Sequence, residues 1–148
     1  MKRNTITCQI QIDADRQSVW EALSDATEFG KWFRVKLDGP FILGEATTGK
    51  MTYPGHEDVP WITVTEVMEA PKKFVFRWPD CAPNESVGAN TNWLTVAFSL
   101  EARDGGTLVT VEETGFAALP EDRRVSMLRD NTEGWKIQTV NLKQHVEN

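Results

Sequence analysis

Cysteine, histidine and tyrosine are scarce in this chain of 148 residues, which holds two, two and one of them. Cys8 and Cys81 lie far apart and form no CxxC pair, so neither a disulfide framework nor a thiolate metal site is expected. Two reduced thiols in a cytoplasmic protein is the simplest account. His56 follows Pro54-Gly55 in a loop and His145 sits near the C-terminus, with no HxxH, HExxH or Cys/His cluster between them. No metal and no cofactor are expected. The chain also lacks a GxSxG elbow, a glycine-rich phosphate loop, and any base near Cys8 in sequence, which leaves nucleophilic catalysis without its usual parts. No basic run exceeds Lys72-Lys73 or Arg123-Arg124, and the net charge is −6. Phosphate binding needs a concentrated basic face, so nucleic acid is excluded as a partner. The first twenty residues alternate apolar with polar, unlike a signal peptide or a membrane span.

Against these absences stand six tryptophans and one long amphipathic segment. Val125, Leu128, Thr132, Trp135, Thr139, Leu142 and Val146 are spaced alternately three and four apart, which places them along one side of a helix. A helix from about Glu121 to Glu147 would be roughly 40 Å long at ~1.5 Å per residue. Its stripe mixes small Thr132, Gly134 and Thr139 with the large Trp135, so it can cover a sheet without filling all the space above it.

Upstream, Ile6, Cys8, Ile10 and Ile12 alternate with polar residues and predict a half-buried strand. Asp15 can cap a helix with Val19, Trp20 and Leu23 inside, and residues 26–32 predict a second short helix, broken near Gly30. From Phe33 to Gly115, strand-like segments alternate with turn signals at Asp38-Gly39-Pro40, Pro54-Gly55, Ala70-Pro71, residues 79–92 and Asp104-Gly105-Gly106. Residues 94–100 and 107–113 read as a hairpin. Strands grouped together predict an α+β fold with an antiparallel sheet, in a single domain spanning 1–148.

Two glutamates carry candidate chemistry. Glu113 shares parity with Val109 and Val111, so it points inward if they do, as a pocket carboxylate or as an acid or base. An inward, poorly hydrated Glu113 would have a raised pKa, and Glu113→Gln would then stabilise the protein at neutral pH. Glu66 shares parity with Ile62 and Val64 and is a second inward candidate unless a bulge turns it out. Phe76, Trp78, Phe98, Val111 and Trp135 form the expected cavity walls, with Trp32 closing one end. Trp61 could flank an opening, while Trp20 and Cys8 read as core.

The segment from Ile10 through Val19-Trp20 to Phe29-Gly30-Lys31-Trp32 resembles the opening of the START-like (SRPBCC) superfamily. In particular it resembles the branch named after the activator of heat-shock-protein-90 ATPase. Thr65-Glu66-Val67, Pro71 and Phe74 to Trp78 fit the same branch, as do Gly106-Thr107, Val109 to Phe116 and Gly134-Trp135. The resemblance implies a helix-grip fold: a curved antiparallel sheet wrapped around the long C-terminal helix, with a cavity between them. It implies a small, largely hydrophobic ligand. It leaves open a cyclase, isomerase or hydrolase using Glu113, and an interaction module that pairs with itself or contacts a chaperone.

Overall fold

The computed structural model describes residues 4–81 and 86–148. Strand β1 (Ile6–Ile12) is followed by helices α1 (Arg16–Ser24) and α2 (Ala26–Phe33). Six strands come next: β2 (Val35–Leu37), β3 (Ala46–Met51), β4 (Pro60–Glu69), β5 (Lys73–Pro79), β6 (Trp93–Arg103) and β7 (Gly106–Thr114). A 3-10 turn at Phe116–Ala118 leads into α3 (Glu121–Glu147). The strands form one antiparallel sheet in the order β1-β7-β6-β5-β4-β3-β2. The sheet curves around α3, which is the helix-grip architecture. Part of the turn region at residues 79–92, namely 82–85, lies outside the described residues.

Local chemistry accounts for the element boundaries. The Asp15 and Asp25 carboxylates accept from the backbone N–H of Ser18 at 2.8 Å and of Glu28 at 3.0 Å, capping α1 and α2. Helix α2 is not broken at Gly30 but runs through it. Glycine is required there for closeness, since a Cβ would stand 2.4 Å from the Val35 carbonyl oxygen. The β6–β7 hairpin turns through Asp104 and Gly105, both at positive φ (53° and 80°), the geometry that matches strand twist in a two-residue turn. Its register pairs Arg103 with Gly106 and Phe98 with Val111.

The concave face is densely aromatic. Phe74, Phe76, Phe98, Val96, Val109 and Val111 are all fully buried. Their rings continue into α2, where Phe29 lies 6.2 Å from Phe76 and 4.8 Å from Trp32. From α3, Trp135, Thr139 and Leu142 close over this layer. Val125 does not join them: it is 59% exposed, and Met127 and Leu128 pack against the core instead. No described helix is long and apolar enough to cross a membrane.

Candidate functional site

Strand β7 ends by aiming a carboxylate into the protein. Glu113 follows Val109 and Val111 on the inward parity and is fully buried. Three side chains from two other elements meet it. The Trp135 indole of α3 donates to Oε1 at 2.9 Å, and the Trp78 indole of β5 donates to Oε2 at 2.9 Å. Asn131, four residues before Trp135 and hence on the same helix face, donates from Nδ2 to both oxygens at 3.2 and 3.1 Å. Among the described residues every hydrogen bond to the carboxylate comes from a donor, and none of the three partners carries a charge.

Burial pushes the Glu113 carboxyl above the ordinary carboxylate range, and the Trp135, Trp78 and Asn131 hydrogen bonds offset part of that rise. Loss of hydration therefore outweighs three neutral donors. The two indoles are held nearly parallel, 5.8 Å between centroids with planes 20° apart. Phe33 lies 6.2 Å from Trp78 and 6.5 Å from Trp135, and Phe98 meets Trp135 edge-on at 5.7 Å.

This cluster borders open space. A cleft of about 480 Å³ has an apolar wall of Phe33, Met51, Trp61, Trp78, Leu94 and Met127, with Asn131 among its few polar groups. A second depression of about 170 Å³ runs along α3 past Gly134 and Trp135. The two share Phe33, Met51, Trp78 and Asn131. A larger surface hollow of about 620 Å³, between α2 and β2, is lined by Asp25, Lys31, Lys36 and Asp38 and has no aromatic wall. Its lining shares no residue with the carboxylate cluster, so the aromatic cleft is the candidate site.

The expected wall residues divide into two groups. Trp78 lines both depressions and Trp135 the smaller one, and Glu113 is buried behind them, bonded to both indoles. Phe76, Phe98 and Val111 are fully buried inside the packed face instead, where Phe29 meets Phe76 and Trp135 meets Phe98 from the helices and Phe74 packs beside them on the sheet. The cavity is thus displaced toward the β3–β5 side of the grip. Trp32 does not close its end: its indole donates to the Ala22 carbonyl at 2.8 Å inside the core, and the adjacent Phe33 faces the cleft.

Glu66 also lies elsewhere. The inward residues of β4 are Trp61, Thr63 and Thr65, so Ile62 and Val64 occupy the other face, and a bulge follows between Thr65 and Val67. Glu66 is exposed and reaches Arg77, with Oε2 2.8 Å from Nε; the spacing suits an ion pair, but the N–H is not aligned for a hydrogen bond. The Arg77 guanidinium also sits 4.9 Å from the Trp93 ring centroid.

Phe33, Met51, Met127 and Asn131 were not legible as site residues. Only Asn131 had a signal, its four-residue offset from Trp135. His145 pairs with Glu28 at 3.0 Å, tying the end of α3 to α2. Cys8 is half-buried with Sγ 3.7 Å from the Thr139 hydroxyl. Among the described residues no three His, Cys, Asp or Glu side chains cluster in a way that could hold a metal ion.

Solved structures share this architecture. A protein from Arthrobacter aurescens superposes with a TM-score of 0.81 at 16% identity, covering 97% of this chain and 86% of that one. The Aha1 dimer from Colwellia psychrerythraea gives a TM-score of 0.73 at 16% identity over 97% of this chain and 96% of that one. DynU16, a protein in the dynemicin biosynthetic locus, gives 0.76 at 20% identity over 99% of this chain. This chain spans 48% of the length of DynU16. At such identities the likeness is one of fold. No curated protein matches the sequence. The family assignment rests on residues 13–147, which match the family model described as "Activator of Hsp90 ATPase homolog 1-like protein", and the chain belongs to that family.

Proposed function

We propose that this protein binds a small, largely hydrophobic molecule in the cleft between β3–β5, Phe33 and α3, as a single ligand-binding domain working in the cytoplasm. The observation that carries this reading is the wall itself. Trp61, Trp78, Phe33, Leu94, Met51 and Met127 border one cleft of about 480 Å³, a volume suited to a small organic ligand. Apolar surface at that density favours a flat or branched hydrophobe, through roughly 25 cal/mol for each Å² removed from water. The two methionines add a wall that adapts to shape. Acid–base chemistry by Glu113 has less support, since its oxygens are already engaged by Trp78, Trp135 and Asn131. Self-association, named for the Colwellia relative, is a separate proposal that sedimentation of the purified protein would test.

Titration with an anilinonaphthalene dye and a small panel of aromatics tests the cleft. Apolar aromatics should quench tryptophan emission and raise the melting temperature at concentrations on the order of micromolar. Binding of nucleotides or sugar phosphates, with apolar aromatics leaving both signals unmoved, would overturn it.

A further inference from the structure

Asn131 occupies a particular place in the cluster. It is half-buried and, like Trp78, lines both the larger cleft and the smaller one; Trp135 reaches the smaller one alone, and Glu113 lies buried behind all three. The two indoles each give one carboxylate oxygen a bond of 2.9 Å. Asn131 instead spreads its amide over both oxygens at 3.2 and 3.1 Å, the longer and more divided contact. Asn131 can leave without opening the aromatic layer, whereas Trp78, which also faces the clefts, is stacked on Trp135 and packed against Phe33 and Phe76.

We infer that Asn131 is an exchangeable plug over Glu113, and that the cleft selects apolar ligands carrying one hydrogen-bond donor, such as a phenolic hydroxyl. The inference rests on the cleft reading above and names its specificity. The exchange conserves hydrogen bonds: Asn131 swings toward solvent, the ligand donor takes its place on Glu113, and the indole bonds stay. A hydroxyl on a carboxylate makes a shorter bond than a divided amide does. A ligand bearing only acceptors cannot make the exchange, because it would meet the carboxylate lone pair to lone pair. An anionic ligand is disfavoured by the same carboxylate.

Calorimetric titration with 2-naphthol and 2-methoxynaphthalene tests this, since the two share a shape and differ in the donor. The ether is the more apolar, so burial alone would favour it. Wild-type protein should prefer the naphthol by about tenfold, the scale of one hydrogen bond to a charged group. Asn131→Ala should keep that preference and bind the naphthol several-fold tighter, with nothing to displace. Asn131→Leu should lose the preference, because an apolar plug cannot be traded for a donor, while binding of the ether persists. Equal binding of both probes by wild type, or a preference that survives Asn131→Leu, would overturn the plug and leave the cleft reading standing. Failure of both probes to bind would overturn both.

Discussion

Trp78 and Trp135 stack 5.8 Å apart while their indole N–H groups bind different oxygens of Glu113. One carboxylate thereby sets the spacing and tilt of two rings that come from β5 and α3. The sheet and the helix it grips are joined here through a polar contact inside an apolar layer. Such a contact is directional, whereas ring packing alone tolerates sliding.

Replacing Glu113 with Gln should destabilise the protein by about 1–3 kcal/mol, the cost of a buried donor left facing a donor. Parity and burial alone predict stabilisation; the all-donor shell reverses that expectation. Gln offers one oxygen and one NH2, so one indole N–H would oppose another N–H. A protonated Glu113 escapes this conflict, since its hydroxyl oxygen still accepts from Trp78 and can donate to a flipped Asn131. Chemical denaturation of both proteins at neutral pH measures the difference. A variant as stable as wild type would contradict the donor shell.

The raised Glu113 pKa fixes the sign of its pH dependence. Its folded value exceeds the ordinary one of about 4.3, so the native state binds the proton more tightly than the unfolded chain does. Its contribution is complete below the unfolded value, declines as pH rises through the folded value, and then levels off. Asp15, Glu28 and Glu147 are lowered by hydrogen bonds to Ser18, to Lys31 and His145, and to Asp13 and Lys143, and run the opposite way. The stability of wild type minus that of Glu113→Gln isolates the buried group. That difference should grow as pH falls toward 4; a difference that shrinks would mean a lowered pKa.

Trp135→Ala should cost about 3–5 kcal/mol, since it empties a buried volume against Phe98 and Trp78. It also removes one donor from Glu113. If the cleft is the binding site, affinity for an apolar aromatic should fall with it. Thermal melts with and without the aromatic separate the two effects, because a residue that serves only packing would leave the ligand-induced shift intact.

Glu66→Gln should change stability by less than about 1 kcal/mol and leave aromatic binding unaltered, because its pairing with Arg77 is partly solvated. A change in affinity for an apolar probe would place Glu66 in the site after all.

Short-range periodicity determined a large share of this protein. The bounds of α3, the alternation of β1, the β6–β7 hairpin and the inward Glu113 each follow from spacings of three, four or two residues. Such patterns are local, and one face of each element is plainly more apolar than the other. Strand β4 lacks that asymmetry: Trp61, Thr63 and Thr65 oppose Ile62 and Val64, so alternation alone could not say which set faces the helix. The neighbouring strands decided, and Glu66 followed outward. Whether a cavity exists, and where, is a matter of volume in three dimensions. Phe29 from α2 and Phe74 from β5 fill the centre of the grip, which buries Phe76, Phe98 and Val111 and leaves the opening between Phe33, Trp61 and Trp78. Asn131 owes its place over Glu113 to the same assembly, because only the docking of α3 onto β5 and β7 brings the amide within reach of the carboxylate.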